Sequence, residues 1–142
     1  MSNDDDEAAI EVLCNYYDAI SSGSFEAIPP LCSDTFTVIS LNGSYLLSTN
    51  ENIIQAYKSL WTTWKEQGIM RKIGYDRDSF TVIEVQDNVK LIQTRLTNYD
   101  QAGLELNCWN CSYVMVREDF TWLISLATTD NASSTSLKDT AN

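Results

Sequence analysis

Alternating apolar and polar residues between Asn88 and Thr128 predict three long antiparallel strands joined by short turns. Gly103 and the Glu118–Asp119 pair are expected to supply the two reversals. Side chains of a strand alternate between its two sides, so one face should carry Leu91, Gln93, Arg95, Thr97, Leu106, Cys108, Asn110 and Ser112. The opposite face should carry Ile92, Leu96, Trp109, Cys111, Tyr113, Met115, Trp122, Ile124 and Leu126. Both faces carry too many apolar side chains to be exposed to water. We therefore expect helices over a cavity on one face and a second cover, such as another subunit, on the other.

Helical spacing of apolar residues predicts three helices before these strands. The first runs from about Glu7 to Ser22, and a short second helix covers Phe25–Ile28. The third is capped by Thr49 or Asn50 and closed by Gly68.

Two further strand regions separate the helices. A strand at Phe36–Leu41, a turn at Asn42–Gly43 and a return strand at Tyr45–Leu47 predict a hairpin. A long strand from Met70 to Val85 follows, with a break expected near Gly74 or the Asp76–Asp78 segment. Segregated helices and strands of this kind indicate an α+β fold with the helices on one side of a curved sheet.

Length and composition fit one packed domain. The chain has 142 residues, of which 44% are hydrophobic, which favours a single core over global disorder. We assign residues 1–128 to this domain. Residues 129–142 are small and polar, and we expect them to form a disordered tail.

The formal charge of −11 argues against nucleic acid as a partner, because an acidic surface repels phosphates. No apolar run approaches the roughly 18 residues of a membrane span. The acidic N-terminus also lacks the hydrophobic segment of a signal peptide. We therefore expect a cytoplasmic protein with no nucleic-acid or membrane partner.

Cys108 and Cys111 have the spacing of many redox and zinc motifs. On a strand, however, they would point to opposite faces with Cα atoms about 10 Å apart, too far for a disulfide. The chain has no histidine, which weakens a zinc site and excludes Ser-His and Cys-His nucleophiles. No Gly-rich phosphate loop is present either, so we predict reduced thiols, no metal and no other cofactor.

The order of elements resembles that of the nuclear-transport-factor-2-like superfamily, which includes SnoaL-like and ketosteroid-isomerase-like proteins. The resemblance covers roughly Ala8 to Thr128 and rests also on the segments AISSGSFEAI, CSDTFTVI, LNGSYLLSTNENIIQAY and SYVMVREDFTWLI. It implies a cone-shaped, curved antiparallel sheet with three helices packed on its concave face, enclosing a pocket. It also implies a homodimer formed through the outer face of the sheet.

Ketosteroid isomerase uses a carboxylate base and an oxyanion hole made by a tyrosine and a protonated carboxylic acid. The resemblance places Tyr16 at the oxyanion tyrosine and Tyr57 at a tyrosine that supports it by a hydrogen bond. Ser40 stands at the position of the base, and Ser112 at that of the second acid. Both carboxylates are absent, which argues against this isomerase reaction, and no general base can be named.

The candidate ligand-binding residues are Tyr16, Tyr57, Trp61, Arg95, Asn110 and Ser112. Arg95 has three interpretations: a clamp for a ligand carboxylate or enolate, an internal partner of Asp18, Asp34 or another acid, or a side chain that faces water. The tyrosines and Trp61 are also compatible with ordinary core packing.

We therefore predict a SnoaL-like protein with a mostly apolar pocket that binds a small apolar or carboxylate-bearing molecule. If it is an enzyme, isomerisation, cyclisation or hydrolysis are the reactions considered. The alternative is a non-catalytic homodimeric interaction module whose cavity is small or filled. In that case Trp109, Tyr113 and Trp122 would form an exposed apolar patch.

Overall fold

The computed structural model describes residues 2–40 and 43–129. The helices are α1 (Ser2–Ser22) and α2 (Asn50–Glu66), with 3₁₀ turns at Phe25–Ala27, Pro29–Leu31 and Arg77–Ser79. The strands are β1 (Cys32–Ser40), β2 (Gly43–Leu46), β3 (Ile69–Tyr75), β4 (Thr81–Gln86), β5 (Val89–Asp100), β6 (Glu105–Glu118) and β7 (Thr121–Thr129). The predicted turn residue Asn42 and nearly all of the predicted tail lie outside the described residues.

The strands form one curved sheet in the order β2-β1-β7-β6-β5-β3, and β4 also pairs with β5. β3 and β4 pair with opposite ends of β5, so the long strand predicted at Met70–Val85 exists but is interrupted by the 3₁₀ turn Arg77–Ser79. The predicted curved antiparallel sheet is present, with one parallel pairing, that of β1 with β7. These two strands are far apart in sequence, so no tight turn dictates their relative direction.

The predicted pairing of β5 with β6 is confirmed, with Arg95 opposite Asn110 and Leu96 opposite Trp109. Ile92 and Trp109 belong to the buried face, under the helices, whereas Arg95 and Asn110 are exposed. We call the buried side the inner face and the other side the outer face. The prediction for Leu126 is wrong, because an irregularity beside Met115 pairs Leu126 with Val114 on the outer face.

The β6–β7 reversal differs from its prediction by one residue. Glu118 pairs with Thr121, so Asp119 and Phe120 form the two-residue loop, rather than Glu118 and Asp119. Both loop residues have positive φ, 51° and 68°, which is the conformation that a tight hairpin of right-twisted strands requires. The β5–β6 turn contains Gly103 at φ 86°, as predicted from its sequence.

Acidic residues at the start of α1 fix this helix across the sheet. Asp5 Oδ2 lies 3.1 Å from Arg117 Nη1, and Asp6 Oδ1 lies 2.7 Å from Lys90 Nζ. Arg77 Nη2 lies 3.1 Å from Glu7 Oε2. Negative charge at a helix N-terminus is favourable in itself, and these three acidic residues also pair with cations: two on strands of the sheet and one, Arg77, in the 3₁₀ turn between β3 and β4.

The helices cover the inner face as predicted. Thr49 caps α2 by accepting a hydrogen bond from the backbone N–H of Asn52 at 3.1 Å, and Gly68 follows the helix with a φ of 75°. The predicted short second helix is a pair of 3₁₀ turns between α1 and β1. Within the described part of the chain, no helix has the length and apolar character needed to cross a membrane.

Candidate functional site

Two tyrosines meet in the interior between the helices. Tyr16 of α1 and Tyr57 of α2 are both buried, and their hydroxyl oxygens lie 2.6 Å apart. Their rings are perpendicular, with centroids 5.7 Å apart. One hydroxyl hydrogen bridges the pair, so one further hydroxyl hydrogen is left to donate elsewhere. The hydrogen bond that the resemblance placed between these two residues is therefore present.

Aromatic side chains surround this hydroxyl pair. The Tyr16 ring centroid lies 5.4 Å from that of Tyr17 and 6.1 Å from that of Tyr113 on β6. Burial raises the pKa of Tyr16 and Tyr57 above the ordinary value for tyrosine, and the hydrogen bond between the two hydroxyls only partly opposes this for the pKa of Tyr57. Both hydroxyls are consequently protonated at neutral pH and act as neutral hydrogen-bonding groups. The arrangement can stabilise a developing oxyanion but contains no base.

Trp61 lies on α2, one turn beyond Tyr57. It is partly buried, and its ring contacts Phe25 edge-on with a centroid distance of 6.2 Å. The ammonium group of Lys65 lies 5.8 Å from the centre of the Trp61 ring. Tyr16, Tyr57 and Trp61 thus belong to the helical side of the molecule, as the sequence predicted.

The other three candidates do not lie with them. Arg95, Asn110 and Ser112 lie on the outer face, on the opposite side of the sheet from Tyr16 and Tyr57. The six candidate residues therefore do not line one common cavity. The predicted division of these residues between two faces is confirmed, but the helices cover the other face, where Leu96 and Trp109 lie. Arg95 is exposed, and no acid among the described residues forms an ion pair with it.

The same correction applies to the position of the second acid of ketosteroid isomerase. Ser112 faces outward, and its neighbours Cys111 and Tyr113 are the residues that face the helices. Neither is a carboxylic acid, so the missing acid is not restored by shifting the alignment by one residue. The side chain of Ser40, at the position of the base, lies outside the described part.

The alternative interpretation also needs a correction. Trp109, Tyr113 and Trp122 are all buried on the inner face, so they do not form an exposed patch.

The predicted separation of the two neighbouring thiols is confirmed: Cys111 is buried on the inner face, whereas Cys108 pairs with Thr97 on the outer face. Neither forms a disulfide within the part of the chain that the structure describes.

Sequence reasoning missed several buried polar residues of β5. Lys90, Thr94 and Asn98 are buried on the inner face, in the same alternation as Ile92 and Leu96. The period-two pattern contained this signal, because each of these residues is an even number of positions from Ile92. The polar side chains were passed over because charged and amide groups are rarely fully buried.

A groove of about 710 Å³ lies between the end of α1 and β3. Its lining includes Asp18, Ser21, Lys72, Gly74 and Tyr99. It is wide open to solvent and contains none of the six predicted site residues. The tyrosine pair therefore remains the more specific candidate site.

The sequence from residue 5 to residue 132 matches the sequence model of a family described as NTF2-like protein (DUF6841). A comparison with curated proteins found no match.

Similar solved structures support the same fold. A protein of unknown function with a cystatin-like fold from Nostoc punctiforme PCC 73102 has a TM-score of 0.73 at 10% identity, over 90% of this chain and 92% of its own. A second domain of unknown function with a cystatin-like fold, from the same organism, has a TM-score of 0.72 at 18% identity, over 98% of this chain and 86% of its own. A ketosteroid isomerase-like protein from Erwinia carotovora atroseptica SCRI1043 has a TM-score of 0.65 at 10% identity, over 87% of this chain and 92% of its own. With the family match spanning most of its length, the chain belongs to the NTF2-like protein family (DUF6841).

Proposed function

We propose that this NTF2-like protein binds a small organic molecule between the helices and the inner face of the sheet. The observation that carries the proposal is the buried Tyr16–Tyr57 hydroxyl pair, with an oxygen–oxygen distance of 2.6 Å and one hydrogen left to donate. Apolar and aromatic surroundings strengthen a hydrogen bond from such a donor, because the local dielectric constant is low.

The geometry favours a ligand that offers an uncharged acceptor oxygen. Tyr16 and Tyr57 stay protonated because burial raises the pKa of each hydroxyl. They can therefore donate to a carbonyl but cannot compensate a full negative charge as a cation would. The ring of Tyr113 contacts that of Tyr16 and restricts the available space, so the ligand should be small and flat. Arg95, on the outer face, is not part of this site.

A neutral aromatic ketone tests the proposal. In the wild-type protein, 1-indanone should bind, and its carbonyl stretching band should move to lower wavenumber because Tyr16 or Tyr57 donates a hydrogen bond to it. Tyr16→Phe and Tyr57→Phe should each reduce this shift. Tyr45→Phe, a change on the exposed strand β2, should leave it as in the wild type.

Infrared spectroscopy and calorimetric titration provide the measurements. An unchanged carbonyl band in both Tyr16→Phe and Tyr57→Phe would exclude the tyrosine pair as the donor. If 1-indanone did not bind at millimolar concentration, the proposal that the tyrosine pair binds a small ketone would be refuted.

A second candidate function, a homodimeric interaction module, is favoured by the outer face. Apolar side chains that the helices do not cover gather there: Ile83, Leu91, Val114, Val116, Leu123 and Leu126. Ile83 is 44% exposed. A second copy that covers this face would remove these side chains from water, which stabilises association by about 25 cal/mol per Å² of apolar surface.

Sedimentation tests the dimer. Leu126→Glu introduces a charge at the centre of the outer face and should turn a wild-type dimer into a monomer at micromolar concentration. Leu104→Glu is the matched control, because Leu104 is exposed in the β5–β6 turn rather than on the face. A wild-type protein that sediments as a monomer would rule out this assembly.

A further inference from the structure

Two asparagines lie at the end of the inner face where α2 joins β3. Asn98 of β5 and Asn107 of β6 are direct cross-strand partners, so their Cβ atoms stand about 5 Å apart. Asn98 is 1% exposed. The two carboxamides therefore form one polar patch in an otherwise apolar interior.

The hydrogen-bonding atoms of this patch are largely unused. Neither Nδ2 nor Oδ1 of Asn98 has a partner within the part of the chain that the structure describes, and the same is true of Nδ2 of Asn107. All three atoms are shielded from solvent. A buried polar group without a partner destabilises the folded protein, so such groups are normally satisfied by protein, water or ligand.

Trp64 brings a third unused donor to the same end of the sheet. It lies in the last turns of α2, and the Gln67–Gly68 connection leads from there to Ile69, which pairs with Asp100 near Asn98. The indole Nε1 of Trp64 is buried and also lacks a partner among the described residues. The patch thus offers two NH₂ groups and one indole N–H as donors, together with Oδ1 of Asn98 as an acceptor.

We propose that this patch recognises a neutral amide or lactam group of the ligand, an inference that rests on the proposed small-molecule function. The Asn98 carboxamide presents a donor beside an acceptor, and the edge of a lactam presents the complementary acceptor and donor. The remaining donors, Asn107 Nδ2 and Trp64 Nε1, match the second lone pair of the lactam carbonyl. The patch therefore binds the polar end of a ligand whose apolar part lies among the aromatic rings.

Charge excludes a carboxylate at this patch. The buried cation of the same strand, Lys90, lies at the opposite end of β5 and is already paired with Asp6 and Glu84. A carboxylate would enter a neutral donor cluster without a compensating cation, which is costly in a dry interior. The overall charge of −11 further disfavours an anion. This narrows the earlier expectation of an apolar or carboxylate-bearing molecule to a neutral amide.

The test is a titration of the full chain with 2-quinolinone, a flat lactam, beside 2-naphthoate and naphthalene as comparators of the same ring size. The side-chain NH₂ signals of Asn98 and Asn107 in ¹H–¹⁵N spectra should shift with 2-quinolinone. Asn98→Leu should weaken binding of 2-quinolinone about tenfold or more, since it removes one donor and one acceptor. Thr94→Val removes a buried hydroxyl of the inner face that has no partner among the described residues, and it should leave the Kd within about twofold.

Circular dichroism shows whether Asn98→Leu folds. If it does not, Asn107→Leu, at a less buried position, replaces it and should weaken the binding of 2-quinolinone in the same way. Binding of 2-quinolinone with unchanged affinity in these variants overturns the proposal, and so does tighter binding of 2-naphthoate. NH₂ signals that respond to none of the compounds, as expected if only water satisfies the amides, overturn it too. Binding of 1-indanone without 2-quinolinone refutes amide recognition alone, whereas binding of neither refutes the proposed function as well.

Discussion

Lys90 Nζ lies 2.7 Å from Asp6 Oδ1, and this joins the N-terminal turns of α1 to the inner face of β5. Lys90 is only 1% exposed, its ammonium also lies 3.4 Å from Glu84 Oε1, and it lies 5.3 Å from the centre of the Trp122 ring. Burial by itself lowers the pKa of Lys90, but the hydrogen bonds and charges of Asp6 and Glu84 raise it further than burial lowers it. The ammonium is therefore charged inside the molecule, and Asp6 is the partner that compensates it most closely.

Removing Asp6 should cost more stability than removing Lys90. Asp6→Asn leaves a buried ammonium with only the longer contact to Glu84, and we expect a loss of about 2 kcal/mol in the free energy of unfolding. Lys90→Met removes the buried charge, and its partners are partly exposed and regain water, so we expect a loss below about 1 kcal/mol.

Urea unfolding measures both variants, with Asp4→Asn as a control at a neighbouring exposed acid. The opposite order, with Lys90→Met the more destabilised protein, would show that attraction within the pair outweighs the cost of burying the ammonium.

Phe120→Gly should stabilise the protein by about 1 kcal/mol. Phe120 is 96% exposed and has a φ of 68°, so its side chain contributes little packing while its Cβ opposes this backbone conformation. Glycine adopts positive φ without that cost and is the preferred residue at this place in a two-residue hairpin loop. Thermal unfolding measures the gain. Phe120→Ala is the control, because alanine keeps the Cβ, and an equal gain with alanine would refute the explanation by backbone strain.

Stability should fall as the pH rises above about 10, the ordinary pKa of tyrosine. Burial raises the pKa of Tyr16, Tyr57 and Tyr113 in the folded protein, so the unfolded chain releases these protons first. The unfolded state then binds fewer protons than the folded state, and the free energy of unfolding decreases with pH. Below pH 10 this contribution is fully present.

Urea midpoints across this pH range measure the effect, and Tyr57→Phe should show a smaller decrease. Most of the tyrosinate absorbance should develop together with the loss of near-ultraviolet circular dichroism. If these tyrosines ionised completely in a protein that remained folded, the burial that we describe would be wrong.

Thiol reagents should distinguish the two faces of the sheet. Cys108 is partly exposed on the outer face, whereas Cys14, Cys32 and Cys111 are buried. Burial also raises the pKa of Cys32 to about 12, which keeps it in the unreactive thiol form. In dilute protein one thiol should react rapidly, and Cys108→Ser should abolish this phase. Rapid reaction of two or more thiols would contradict the assignment of the faces.

Much of the fold was predictable because strand alternation and turn chemistry are local. The pairing of β5 with β6 and the division of their side chains between two faces followed from the residue pattern and one short turn, whereas the exact partners, such as Arg95 and Asn110, come from the structure. The cap at Thr49 and the glycine after α2 were predictable for the same reason. The family resemblance also gave the Tyr16–Tyr57 contact.

The local pattern divided the strands into two faces, but only the packing of α1 and α2 decided which face is inside. Both faces mix apolar and polar residues, so hydrophobicity alone did not separate the outward Arg95 from the inward Lys90. Lys90 is tolerated inside because Asp6, far away in sequence, lies beside it in space. The parallel pairing of β1 with β7 is likewise a long-range contact that no turn specifies. The sequence alone determined the elements and their neighbours along the chain, whereas the tertiary structure decided burial, because burial depends on residues that are distant in sequence.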